Sequence, residues 1–509
     1  MQEACPKTRP SPRFLLFAGL LLAVPRIVRM AYPALWVEDS FYLYAGDLVS
    51  KGVMPYKEFV HTQYPGVEFL LALAYKMLGP STRTAELATQ VFAWMGSMLV
   101  LVLGTRMKNR RTGLLAAFLL AFHSLLFRYH LCERELFALV PAIALMWLVF
   151  EGSLKGYRAA GFFLLACFGL SFKLTFTLPC LASVLYLLWV GRRRDAVAAA
   201  LLAGAAVVGV TLLLWLLFGE PFLWQALLYH FAKGANVHGL LQRINVPRLC
   251  LDWALAVGGP AVLFLSLDRD SPRAETEPAR TLPIAWVIPE GVLFTAFSPN
   301  LWPHNYLSVL PGLCLLSALW LDRVFRREHW QGDGRLLYHK GLKCALPLVL
   351  LFTVVPLRNH QWERGSVHGF GFMSRGESQE MARIVQRAAS AQQRILVPEY
   401  LAVDAQRRLL LDDRMEAAGA IGRFRDLAAE EGLLNACETM KREDFWVQTE
   451  AAQSHWRPEA VEGILRGRIP VVIPFLHAKF REELFLEAGY DYREFTWYRV
   501  WISPNAPQR

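Results

Sequence analysis

The chain has 509 residues, 54% of them hydrophobic and only 19% charged, with a formal net charge of +11. Soluble domains carry roughly 25% charge. This composition, a mean hydropathy of +0.29 and repeated apolar runs of roughly 18 residues exclude an ordinary soluble protein and indicate a polytopic membrane protein.

The basic excess does not call for nucleic acid. It sits in short loops between apolar runs, where membrane topology alone requires it. The eight cysteines show no CxxC or CxxH spacing, so neither a disulfide framework nor a zinc site is implied.

Lys7, Arg9 and Arg13 precede the apolar stretch Phe14–Val24. That pattern resembles a signal peptide, but the many later spans favour a retained first helix. Spans are expected near 14–36, 86–104, 113–127, 136–151, 159–172, 174–190, 197–218, 249–267, 281–298, 305–321 and 342–357.

Between the first two spans lies the polar stretch Trp36–Gly66. It opens with the adjacent acids Glu38 and Asp39, continues through Phe41, Tyr42 and Tyr44, breaks at Lys51-Gly52, and runs through Pro55-Tyr56-Lys57-Glu58-Phe59 to Tyr64-Pro65-Gly66. Carboxylates kept beside a membrane segment are functional candidates. Val67–Leu78 follows, about 12 residues long and too short for a crossing. If it does not cross, about twenty Lys and Arg of the short loops fall on the N-terminal, cytoplasmic side and about ten outside, as the positive-inside rule expects. It is therefore expected to be an amphipathic helix lying on the outer surface.

This threading puts Glu38/Asp39, Arg128, Glu133, Arg134, Glu135, Lys173, the loop Tyr229–Arg248 and Pro303-His304-Asn305-Tyr306 on one outer face. After Pro356 the composition turns polar. Helical patterns at Gln379–Gln393, Asp412–Leu427 and Pro458–Leu465 alternate with strand-like runs at Arg394–Val397, Pro470–Phe475 and Phe495–Ile502. A small α/β domain is expected over 358–509, outside the membrane above the same loops, with the membrane domain over 1–357.

Each candidate residue has two readings. Glu38 and Asp39 either cap the following helix, with Asp39 or Ser40 at its N-cap, or supply a base that accepts a proton from an acceptor hydroxyl. Glu133 and Glu135 are either acids favoured at a helix start or carboxylates that bind a sugar hydroxyl or a metal. Lys173, a single charge between two apolar runs, either snorkels or meets a lipid phosphate; Arg26 and Arg29 have the same two readings. His304 and Tyr306 either belong to an interfacial aromatic belt or donate hydrogen bonds to a leaving phosphate.

The order of these features resembles the GT-C superfamily of polyprenyl-phosphate-sugar glycosyltransferases. It runs from the acidic pair, a short amphipathic helix and a glycine through Pro-Tyr-basic-acidic-Phe and Tyr-Pro to an apolar surface helix. An Arg/Glu loop, a lone lysine and a His-x-Tyr that opens a late span follow. The chain looks most like the bacterial branch of family 39, similar to protein O-mannosyltransferases and the lipid A aminoarabinose transferase. It departs from that pattern in reading Glu38-Asp39 where the family usually has Asp-Glu, and Pro65-Gly66 where a double proline is common.

The resemblance implies inverting transfer of a sugar from a polyprenyl-phosphate donor to a hydroxyl on a glycan, lipid or protein, at the outer face of the inner membrane. Glu38 or Asp39 would be the catalytic base. Arg128, Lys173, His304 and Tyr306 would hold the donor phosphate; Tyr42, Lys57, Glu58, Tyr64, Glu133 and Glu135 would bind substrate. No cofactor is required by the sequence, and a divalent metal stays open. The rivals are a sugar or lipid transporter, which would need ionisable groups near the bilayer midplane, and a non-catalytic envelope assembly protein.

Overall fold

The structure, a computed structural model, describes residues 10–31, 37–126, 132, 134–229, 277–293 and 307–324. In the C-terminal part it describes 375–390, 393–395, 403–406, 408–409, 415–442, 466, 471–472, 485–486, 488–494 and 499–506.

The N-terminal part is helical. In chain order the helices are α1 (Pro12–Ala31), α2 (Val37–Ser50), α3 (Gly66–Leu78), α4 (Thr82–Met107), α5 (Arg110–Leu126), α6 (Arg134–Glu151), α7 (Tyr157–Phe172), α8 (Thr177–Trp189), α9 (Arg193–Phe218), α10 (Glu277–Ile288) and α11 (Leu310–Val324). A helix falls on every expected span except 249–267 and 342–357, which lie outside the described residues. Of the described helices, α4 and α9 are long and apolar enough to cross a membrane by length and composition, with mean hydropathy 1.7 and 2.5. The surface of α9 fits that role: Leu201 is 69% exposed, Val208 65% and Leu216 68%. Such an apolar face needs lipid or another protein against it rather than water.

Neighbouring helices pack as hairpins. α4 packs on α5 and α6, α6 on α7, and α7 and α8 on α9; α10 lies against α8 and α11, and α11 against α5. The short turns at 108–109, 152–156 and 190–192 share one end of the bundle, because Lys108 pairs with Asp322 at the end of α11 (3.0 Å), Arg106 with Glu151 (3.5 Å), and Arg192 donates to the Gly152 carbonyl.

The opposite end carries α2 and α3. α3 is the expected short amphipathic helix. It buries Val67, Leu71 and Tyr75 and leaves Phe69, Leu73 and Met77 exposed, one apolar stripe at four-residue spacing. Against α2 it packs tightly enough to require glycine: a Cβ on Gly46 would sit 2.7 Å from the Leu71 Cβ.

The C-terminal part holds α12 (Arg375–Ala388), α13 (Met415–Glu431), α14 (Leu433–Arg442) and five short strands. β1 (Arg394–Ile395) pairs in parallel with β2 (Arg408–Leu409). β5 (Arg499–Ile502) lies between β3 (Val471–Val472) and β4 (Asp491–Glu494), antiparallel to both. The mixed α/β character expected from the pattern is present; Pro458–Leu465 lies outside the described residues.

This part docks on the α2/α3 end. Met381, Val385 and Val403 share one buried cluster with Phe41, Tyr44 and Leu71. Thr82, at the start of α4, donates from its N–H and hydroxyl to Asp404 (2.8 and 3.0 Å). Phe424 packs edge-on against Trp224, and Arg425 pairs with Glu220 at 3.0 Å.

Candidate active site

The loop after α2 is clamped to the far end of α9. α2 stops where Gly52 takes φ 85°, in the left-handed region open to glycine. Tyr56 is held at φ 65°, which costs a non-glycine residue about 1–2 kcal/mol. Its ring packs on His61, Phe218 and Phe222, and its hydroxyl donates to the Gln63 carbonyl. Gln225 accepts from the His61 N–H (2.9 Å) and donates to the Tyr56 carbonyl (3.0 Å). Lys57 donates to the Leu217 carbonyl (2.8 Å), and Tyr64 lies 3.4 Å from the Thr211 hydroxyl. Glu58 accepts from the Met54 N–H at 2.6 Å.

Beneath this loop His61 Nε2 lies 3.3 Å from Glu68 Oε1, both side chains wholly buried. Phe41 of α2 stacks on the His61 ring with 5.8 Å between centroids. The helix that carries the acidic pair therefore rests on this buried polar contact. Pro65-Gly66 has its own reason. A Cβ on Gly66 would lie 2.6 Å from the Ser171 carbonyl oxygen, so only glycine lets α3 start against the end of α7, two residues before Lys173.

The start of α6 faces α2. Arg134 Nε donates to the Tyr42 hydroxyl (2.7 Å), its Nη1 donates to the Gln63 side chain, and its guanidinium lies over the Tyr42 ring at 5.7 Å. The next residue, Glu135, is buried and forms an ion pair with Lys173, which caps the C-terminal end of α7. Lys173 is also within electrostatic reach of Glu290, which is 3% exposed and accepts from the Ser308 hydroxyl (2.7 Å). Glu290 stands on a π-helical turn, Pro289–Leu293, that continues α10. Proline lacks the N–H an α-helix needs at that point, so the helix widens there.

The structure thus brings Tyr42, Arg134, Glu135 and Lys173 together at the α2/α3 end. Glu38 and Asp39 occupy the first turn of α2, which begins at Val37. Neither Asp39 nor Ser40 is the N-cap that one reading expected; position 38 lies one turn before Tyr42. Their side chains, with all of Arg128, Glu133, His304 and Tyr306, lie outside the described residues. Lys57, Glu58 and Tyr64 hold the loop to itself and to α9. Lys173, which the sequence showed as a lone charge between apolar runs, is paired with Glu135. Arg26 is buried and donates to the Ala121 carbonyl (3.3 Å).

Sequence reasoning missed Glu290, Ser308 and the His61–Glu68 contact. Glu290 had a signal, a single acid inside an expected span. Its partners had none, since residues 135, 173, 290 and 308 meet only through folding. Among the described residues no three His, Cys, Asp or Glu side chains are grouped to hold a metal ion.

No protein-family model matches the chain, and no curated protein sequence does. Solved structures do. The chain is similar to ArnT from Cupriavidus metallidurans bound to undecaprenyl phosphate, with TM-score 0.60 and 13% identity over 97% of this chain and 98% of that one. The apo form of the same protein gives TM-score 0.60 and 13% identity over 96% and 98%. At 13% identity the likeness is one of fold, and it runs through both the helical bundle and the C-terminal part: the chain has the same fold as ArnT over nearly its whole length.

Proposed function

We propose that this chain is an integral membrane, inverting glycosyltransferase. It moves a sugar from a polyprenyl-phosphate donor to a hydroxyl acceptor of the cell envelope, a glycan, lipid or protein, at the outer face of the inner membrane. One observation carries the reading: the fold matches ArnT over nearly the whole of both chains, and ArnT has been crystallised with undecaprenyl phosphate. The site supports it. The acidic pair begins a helix fixed to Arg134 through Tyr42, and buried charged groups cluster at the same end of the bundle.

In this mechanism Glu38 or Asp39 takes the proton of the acceptor hydroxyl as that oxygen attacks the anomeric carbon. The departing lipid phosphate is met by Arg128, Lys173, His304 and Tyr306; each such donor contributes a few kcal/mol, roughly 3. Lys173 can reach the phosphate only by sharing or exchanging Glu135. Residues 1–357 form the membrane domain, and 358–509 form an extracytoplasmic domain that covers the acceptor side.

The purified chain in nanodiscs, given undecaprenyl phosphate esters of several sugars and a mixed-acceptor envelope extract, should release undecaprenyl phosphate from one ester. Failure to consume any of them sinks the reading. A reporter fused after Pro356 should be active outside the cytoplasm.

A further inference from the structure

Glu290 has one carboxylate oxygen in use and one empty. Oε2 accepts from Ser308, whereas no group donates to the fully buried Oε1. Lys173, the nearby cation, already forms its ion pair with Glu135. A buried acceptor left empty is costly, and native structures keep few of them. The backbone makes the position deliberate: the π-helical turn set by Pro289 displaces the register of α10 at this residue. The location also matters. Glu290 lies where the turn that continues α10 packs on α8, hydrogen-bonded to Ser308 just before α11 and within electrostatic reach of Lys173 at the end of α7, on the side of the molecule that carries the acidic pair.

We infer that Glu290 Oε1 is a recognition point for the donor's sugar, accepting a hydrogen bond from a ring hydroxyl or a protonated ring amine. This rests on the glycosyltransferase reading proposed above and adds to it a residue that selects the sugar. A phosphate is the wrong partner for this atom, because an anion brought to a buried carboxylate is repelled. A sugar ring offers neutral or cationic donors. Such a ligand fills the empty acceptor without disturbing the Glu135–Lys173 pair. Ser308 holds the carboxylate so that Oε1 stays presented.

The test separates the sugar from its carrier. Full-length protein in nanodiscs is titrated with undecaprenyl phosphate and with its neutral-hexose, pentose and amino-sugar esters. Wild type should bind one ester at least about ten-fold more tightly than the bare carrier. Glu290→Gln keeps the size and one acceptor but loses the charge. It should retain bare-carrier affinity and lose most of the sugar's increment, with the larger loss if the preferred ester is the amino sugar. Ser308→Ala, which leaves the carboxylate in place but unheld, should lose part of the increment and serves if the glutamine variant does not fold. A full increment in both variants overturns the inference. So does an equal loss of bare-carrier and ester affinity, which would assign Glu290 to packing or to the phosphate. A wild type that prefers no ester overturns the glycosyltransferase reading itself, and this inference falls with it.

Discussion

The two ends of the helical bundle use the same residue types in opposite ways. At the end with the turns 108–109, 152–156 and 190–192, two carboxylates, one half-buried and one buried, are held by several donors each. Asp195 accepts from Arg192 (2.9 Å), Ser153 (2.9 Å) and the Leu154 N–H (3.1 Å). Asp322 accepts from Lys108 (3.0 Å) and Asn109 (3.1 Å). At the α2/α3 end, atoms of Glu290, Glu68, Asp47 and Tyr75 are buried with no hydrogen-bond partner. Each such atom costs about 1–3 kcal/mol. The contrast is one of carboxylates: at the first end Asp195 and Asp322 are held by donors, although Arg106 Nε and Thr112 Oγ1 there also lack a hydrogen bond, whereas at the second end carboxylate oxygens stay open.

The largest expected effect follows from the open end. Changing Glu38 to Gln and Asp39 to Asn together should lower transfer by about 100- to 10,000-fold, the range for loss of a general base. The melting temperature should stay close to wild type. Transfer by the double variant at the wild-type rate would return the pair to a role in helix formation and remove the reason to call this end catalytic.

The closed end gives the converse. Asp322→Ala strands Lys108 and Asn109 where α11 meets the α4–α5 turn. Removing one member of a buried pair costs about 3–5 kcal/mol; Lys108 is 17% exposed, which puts the expected loss near the lower figure. Urea titration should read that loss, while turnover measured well below the melting temperature should match wild type. Lost turnover in a folded Asp322 variant would break the division between the ends.

Arg134→Lys tests the junction of the two halves of the site. Lysine keeps the charge but cannot serve Tyr42 and Gln63 at once, since only the planar guanidinium has that fork. One lost charged hydrogen bond is worth about 1.5–3 kcal/mol. Turnover should fall roughly 10-fold or more if the link aligns α2 with α6. An unchanged rate with lowered stability would make Arg134 a packing residue only.

These contrasts explain what could be read from the sequence. The helices were legible because lipid demands long apolar runs, and the turns because their Lys and Arg concentrate there. The stretch 36–66 stands out in the sequence because acids and aromatics interrupt apolar runs there. The reason for Gly66 was not legible, since it depends on the Ser171 carbonyl across the bundle. Nor was the partner of Lys173. The sequence shows a lysine between apolar runs, but only the packing of α6 on α7 brings Glu135 to it. The docking of the C-terminal part through Asp404 and Thr82 is likewise a contact between distant residues that no local pattern encodes.

The smallest expected effect asks whether every open atom at this end is functional. Asp47, in α2 and 1% exposed, holds Lys51 through Oδ2 (2.5 Å), while Oδ1 has no partner. Burial pushes its carboxyl above the usual 3.8, and Lys51 opposes that only in part. The sign follows from proton linkage. A carboxyl with a raised folded-state pKa binds its proton more tightly in the folded chain, so stability falls as pH rises from 3.8 through the raised value, and the charged form is a net cost above it. Lys51 is 43% exposed, which leaves the ion pair largely screened. Asp47→Asn should therefore change stability by less than about 1 kcal/mol at neutral pH. It should also flatten the decline of melting temperature with pH just above 3.8. A neutral result of this kind makes the empty oxygen of Asp47 a tolerated cost of packing α2 on α3, unlike that of Glu290. A loss of transfer without a change in melting temperature would instead add Asp47 to the site.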